Sequence, residues 1–274
     1  MRKWNQRQKI RMSLIFTLVV LLMVVISGIC FAEEAVRTDF SNKNLAPCIA
    51  HPFGTDWLGR DMLARTLRGL SLSMILGLLA AGVSAVLALG IGVTAALSGR
   101  AVEAGITFII DLIMGIPHIL LMILISLVFS GGMKGVIFAV ALTHWPSLAR
   151  LIRAEVISLR ESAYIQIARR LGKSQLYIIR KHVMPQVLSQ LITGLVILFP
   201  HAILHEASIT FLGFGLPVGQ PAIGILLSEA MRYLLTGKWW LALFPGTSLA
   251  IVNLLFYLAG ENIKRLTDPA SIHV

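Results

Sequence analysis

Charge is scarce in this chain. Only 14% of its 274 residues are Asp, Glu, Lys or Arg, 57% are hydrophobic, and the mean hydropathy is +0.82. Soluble domains carry about a quarter charged residues. The shortage excludes an ordinary soluble protein and points to an integral membrane protein. Acid is scarcer than base: 13 Asp and Glu stand against 24 Lys and Arg, a formal net charge of +11. The surplus does not indicate nucleic acid, because the Arg residues lie beside apolar runs and not on a soluble basic face. It fits cytoplasmic loops, where membrane proteins concentrate Lys and Arg. Cysteine is limited to Cys30 and Cys48; two residues make no disulfide framework, and Cys30 sits in an apolar run. Two catalytic signatures are missing as well. Gly172-Lys173-Ser174 ends like a phosphate-binding loop, but the Gly required five positions earlier is Ile167, so the chain is not itself an ATPase. His201-Ala202-Ile203-Leu204-His205-Glu206 is not the His-Glu-x-x-His of a zinc protease, because the Glu follows the second His.

What is abundant is long apolar sequence. Residues 1–11 carry Arg2, Lys3, Arg7, Lys9 and Arg11 without an acid, and Met12 to Ala32 follows without a charge. That run is long enough to span a bilayer and longer than the apolar core of a signal peptide, so a retained first helix is expected. Residues 33–69 are a mixed external connection, with an interfacial helix expected from Asp61. Further spans are expected over Leu70 to Leu97, Ala104 to Ser130 broken at Pro117, Gly135 to about Leu148, Gln186 to about Gly215, and Leu241 to Tyr257. Gly77, Gly82, Gly90 and Gly92 mark the second span as a close-packing helix. Asp111 lies near the cytoplasmic end of the third and is expected to be structural. Residues 216–238 form an external, partly re-entrant connection. This topology places 16 Lys and Arg in cytoplasmic segments (1–11, 98–103, 150–184, 259–274) and 8 outside, the sign that the positive-inside rule requires. No internal repeat of 20–50 residues is visible, so an inverted-repeat secondary transporter is not indicated.

The least apolar long segment lies between two spans. Residues 150–184 hold eight basic and two acidic residues. They read as short helices meeting at Gly172, where a sharp turn with positive φ is expected, and stopped by Pro185 at the start of the next span. Here the sequence resembles the EAA segment of bacterial ABC importer permeases. Gln166-Ile167-Ala168 stands where that family has Glu-Ala-Ala, Gly172 follows, and Met184-Pro185 stands for the closing Leu-Pro at the same spacing from the Gly. Four blocks in order, at 51–65, 150–174, 205–217 and 260–269, resemble the peptide/nickel permease family and its C-type subunit. The chain departs from it with Ile223-Gly224 in place of Trp-Gly, and with Gln166 in place of Glu.

The resemblance implies an all-α fold of six transmembrane helices, the type I ABC importer transmembrane domain. It implies two regions: residues 1–50 as the leading segment, and residues 51–274 as the permease domain with its coupling segment 150–184. Gln166, Ala168, Gly172 and Pro185 would couple to an ATPase. The implied partners are a second homologous permease, two ATPase subunits, an external binding protein and membrane lipid. ATP and Mg²⁺ would sit on the ATPases, with no cofactor on this chain. The location would be the bacterial inner membrane, with both termini cytoplasmic.

Cargo is read from histidines. His201 and His205 stand four residues apart on one helix face, with Glu206 about 100° round. Two imidazoles so placed present nitrogen ligands to a divalent transition metal. His118, after Pro117, is a further candidate, and the His144-Trp145 pair resembles the nickel branch. Nickel is therefore the expected cargo, with His201 and His205 as its ligands; a dipeptide or oligopeptide remains the alternative.

Overall fold

The computed structural model describes residues 6–267; over them it is all-helical, with ten α-helices and no β-sheet. Arg2 and Lys3 of the basic flank and residues 268–274 of the tail lie outside the described residues. The helices are α1 (Gln6–Cys30), α2 (Met62–Leu97), α3 (Arg100–Gly115), α4 (His118–Val128), α5 (Gly132–Glu161), α6 (Ala163–Arg170), α7 (Gln175–Ile178), α8 (Met184–Phe211), α9 (Ile223–Leu234) and α10 (Trp240–Thr267). Five stretches are long and apolar enough to cross a membrane: α1, α2, α5, the continuous run Gln175–Phe211, and α10. The α3–α4 pair makes a sixth if counted as one span, bent by 99° at Ile116 and Pro117.

The centre of the bundle is α2, packed against α1, α5 and α8. Its contact stripe is built from small residues, including Ala80, Ala81, Ser84, Ala85, Ala88 and Gly92, all buried. Such residues let backbones approach closely, which membrane helices need because lipid supplies no hydrophobic drive between them. At Gly92 a Cβ would stand 2.7 Å from the Ala149 carbonyl oxygen, and at Gly77 one would stand 2.9 Å from the Ile203 side chain. Gly82 and Gly90 face open space instead, so half of the expected glycine contacts are made. Toward one end, Leu70, Met74, Val136, Phe199 and Ile203 form one core. Toward the other, Trp145, Ile152, Val156, Ile165 and Val187 form a second.

Three boundaries differ from the sequence expectation, each for a physical reason, and the connection 216–238 holds a helix of its own. Helix α2 starts at Met62, not at Leu70, because Asp61 caps it by accepting from the Ala64 amide at 2.9 Å. Helix α5 does not end near Leu148; it runs through the basic stretch to Glu161, where Arg150 and Arg153 find partners on α3. Pro185 does not stop a helix. The π-helical turn Ile179–Val183 joins α7 to α8 in front of it, a widened turn beside a residue that has no amide to donate. Finally, residues 216–238 contain α9, whose Gly224 lies against α8: a Cβ there would stand 2.3 Å from the Ala207 carbonyl oxygen.

Candidate functional site

A cavity of about 770 Å³ opens between the α3–α4 break, α5 and α8. Pro117 creates its first wall. The helix cannot continue through it, and the broken backbone Gly115–Pro117 lines the cavity, as irregular backbone at membrane depth must line a cavity or be buried. His118, the first residue of α4, is thereby aimed inward. Helix α5 supplies His144 and α8 supplies His205. The three rings meet: centroids are 4.8 Å apart for His118 and His144, 4.6 Å for His118 and His205, and 5.2 Å for His144 and His205. One ligating atom from each lies within 4.8 Å of the others. The His144 Nδ1 is 2.9 Å from the Val140 carbonyl, so Nδ1–H donates there and Nε2 carries the lone pair.

Of the expected pair, both His201 and His205 line the cavity, and His205 is the one grouped with His118 and His144. His201 lines the cavity but is exposed, with Nδ1 3.0 Å from the Ile197 carbonyl, one turn away from the cluster. Glu206 lies off that face: it is fully buried and accepts from the Thr210 hydroxyl at 3.0 Å. His144 has no second histidine at helical spacing within α5 to mark it as a ligand; only the crossing of α5 and α8 brings it to His205. Asp111 is paired with Arg150 of α5 at 2.6 Å, with both side chains about half exposed.

The elbow is the second site. Helix α6 ends in a Schellman turn: the Lys173 amide donates to the Ala168 carbonyl at 3.1 Å and the Gly172 amide to the Arg169 carbonyl at 3.0 Å. Gly172 holds φ +75°, the left-handed conformation that costs glycine little. Ser174 then caps α7, accepting from the Tyr177 amide. Ile165, Ile178 and Val183 anchor the elbow on Val156 and Leu159 of α5. Arg160 donates to the Ala96 carbonyl at 2.5 Å, tying it to the end of α2. The other face is open: Tyr164, Ile167, Leu171, Leu176 and Tyr177 are exposed large apolar residues, interspersed with exposed Arg169, Arg170 and Lys173. Gln166 is exposed and donates to the Glu161 carbonyl at 3.0 Å, and Pro185 is exposed too.

A third cluster escaped the sequence reading. Asp56 is fully buried and accepts from the Leu58 and Arg60 amides, from Arg60 Nε at 2.6 Å and from Arg65 at 2.5 Å. The same Arg65 reaches Glu229 on α9, and Trp57 stacks on Tyr233 with centroids 4.8 Å apart. The signal for it was the run of alternating charges in Asp56-x-x-x-Arg60-Asp61-x-x-x-Arg65 at the mouth of an apolar span.

Comparison with known proteins agrees with this architecture. Residues 88–269 match the family model described as the binding-protein-dependent transport system inner membrane component. A Brucella suis protein named for peptide transport is 34% identical over 98% of this chain and 90% of its own length. The dipeptide transport system permease protein DppC of Alkalihalophilus pseudofirmus is 30% identical over 97% and 88%, and the oligopeptide permease protein OppC of Bacillus subtilis 28% over 92% and 84%. In fold, the chain is similar to a structure of the MetNI methionine ABC transporter in inward-facing conformations, with a TM-score of 0.62 and 19% identity over 76% of this chain and 98% of that one. A crystal structure of an amino acid ABC transporter with histidines gives 0.61 and 17%, over 74% and 94%. The chain therefore belongs to the family of binding-protein-dependent transport system inner membrane components, the membrane-embedded permease subunits of ABC importers.

Proposed function

We propose that this chain forms half of the translocation path of an ATP-driven importer for dipeptides or oligopeptides, as the C-type subunit paired with a second permease. The curated relatives just described are named for peptides, which favours that cargo over the nickel expected from His201 and His205. The observation that carries the coupling role is the elbow. Its exposed apolar residues among Arg169, Arg170 and Lys173 form a face suited to a protein groove, where aromatic and apolar anchors exclude water. Two ATPases would grip this elbow and its counterpart in the bacterial inner membrane, and an external binding protein would deliver the cargo. Both chain termini would lie in the cytoplasm.

The elbow is not an isolated loop. It continues through the π turn into α8, a helical run of 37 residues, roughly 55 Å long at 1.5 Å per residue. That run carries Gly194, Ile197, Leu198 and His205 on the cavity wall. Movement of the ATPases would reach the wall through it, with the π turn as the pliant point.

The test is uptake of a labelled dipeptide by cells or vesicles holding the chain and its partner subunits. ATP-dependent accumulation, together with cross-linking of a cysteine at Leu171 to an ATPase subunit, is the expected outcome. An elbow that cross-links to no ATPase in the assembled transporter would overturn the coupling role.

A further inference from the structure

We infer that His118, His144 and His205 form a binding site for a divalent transition-metal ion that passes through the cavity, bare or chelated. That the cavity is a route rests on the permease reading; the site itself rests on the three side chains.

The three come from separate elements, 26 and 61 positions apart in sequence (118 to 144, 144 to 205). Their rings nonetheless converge within about 5 Å. The Nε2 atoms of His118 and His144 are buried without a hydrogen-bond partner, and His144 is only 5% exposed. A buried lone pair with no donor is costly, and a metal ion removes that cost. The Val140 carbonyl fixes the His144 tautomer, as a carbonyl commonly does for a ligating histidine. A tetrahedral ion with bonds of about 2.0–2.1 Å places its nitrogens roughly 3.4 Å apart. The present atoms lie within 4.8 Å, so small ring movements of about 1 Å close the site.

Donor chemistry sets the class of ion. Three imidazoles suit zinc, nickel, cobalt or copper ions. Calcium and magnesium require oxygen donors, and the Glu206 carboxylate is turned to Thr210 instead. Three protein ligands leave a position open, and the open side is the cavity of about 770 Å³. An amine or carboxylate of a small chelator, a peptide terminus included, fits that position. Exchange through an open position permits release, which a closed four-ligand site would hinder.

The experiment uses the whole transporter, purified with an affinity tag free of histidine and titrated with Co²⁺. The expected result is one ion per copy of this chain with a visible spectrum and X-ray absorption fine structure of imidazole ligation. Loss of a supporting second-layer contact alone weakens metal sites by about 10–100-fold. His144→Ala and His205→Ala should therefore each weaken binding by at least about 100-fold, and His201→Ala should leave it unchanged. Should His144→Ala fail to assemble, His118→Ala and the ligand count in the unaltered protein decide the matter. Absence of bound Co²⁺ in the unaltered transporter, or binding that survives His118→Ala and His205→Ala together, overturns the site. Uptake of radioactive nickel then separates the sources: accumulation from the chloride salt identifies the bare ion, and accumulation only with an added dipeptide identifies the chelate. Accumulation in neither arm overturns the passage of metal. Dipeptide uptake without metal is a separate readout, and its failure counts against the peptide reading alone.

Discussion

Arg65 donates to Glu229 at 2.9 Å across 164 positions of sequence, while another nitrogen of the same guanidinium holds Asp56. One side chain thus fastens the connection before α2 to α9. Arg65 is 2% exposed and Asp56 is fully buried. Breaking a buried pair by removing one partner strands the other charge, which costs about 3–5 kcal/mol. Arg65→Ala should therefore lower the thermal stability of the purified transporter markedly and reduce the amount assembled. Arg65→Lys should recover only part of the loss, because an ammonium lacks the planar fork that reaches two carboxylates. Melting curves in detergent on both variants test this. An unchanged melting temperature for Arg65→Ala would show the contact to be idle.

The elbow yields a graded prediction. A Cβ at Gly172 would meet nothing within 4 Å, so the only obstacle to substitution is its φ of +75°. Alanine in that conformation costs about 1–2 kcal/mol, and asparagine costs less because it tolerates the left-handed region. Proline fixes φ near −65° and removes the amide that donates to Arg169. Uptake should fall in the order Gly172→Asn, Gly172→Ala, Gly172→Pro. Membrane insertion should persist in all three, and Gly172→Pro should leave ATP hydrolysis without transport. Paired assays of ATPase rate and uptake check the order; full uptake by Gly172→Pro would refute it.

Gly224 is constrained in the opposite manner, by space and not by backbone angle. Its Cβ would stand 2.3 Å from the Ala207 carbonyl oxygen and 2.8 Å from the Phe211 amide nitrogen, both backbone atoms that cannot swing aside. Gly224→Ala should push α9 off α8 at a cost of about 1–3 kcal/mol. The same substitution at Gly219, where nothing lies within 4 Å, should be nearly neutral. Comparing the melting temperatures of the two variants isolates the close approach from any general effect of losing a glycine.

The spans were legible because runs such as Met12 to Ala32 carry no charge and exceed the bilayer's length requirement. The turn at Gly172 was legible because a glycine between two helical patterns has a local conformational reason. Where tertiary contacts decide, the sequence was silent. The helical spacing of Met62, Leu63, Thr66, Leu67 and Leu70 suggested a separate interfacial helix from Asp61, yet α2 is continuous from Met62 because Asp56 and Glu229 neutralise Arg65 inside the fold. The His201–His205 spacing described one helix face correctly, since both line the cavity. It could not show that His144 and His118 arrive from other helices beside His205. Pro185 carried the usual expectation of a stop, which the π turn before it absorbs.

The turn at residues 98–103 and the turn at 130–134 stand at opposite ends of the α3–α4 pair only if that pair is a single crossing. The 99° bend makes this a real question, because a hairpin that re-enters would return both turns to one side. The pairing of Arg153 with Glu103 ties the first turn to the C-terminal part of α5. The Gly132 amide donates to the Gly215 carbonyl at 3.1 Å, tying the second to the far end of α8. Gly132 and Arg153 stand 21 residues apart on α5, roughly 32 Å at 1.5 Å per residue, so these ties hold the turns about one hydrocarbon thickness apart. Cysteines at Gly99 and Met133, placed in a chain whose exposed Cys30 and Cys48 have been replaced by serine, should react with an impermeant maleimide from opposite faces of the membrane. Met133 should label in intact cells and Gly99 only after the membrane is opened; labelling of both from outside would leave five crossings and detach the elbow from the ATPases.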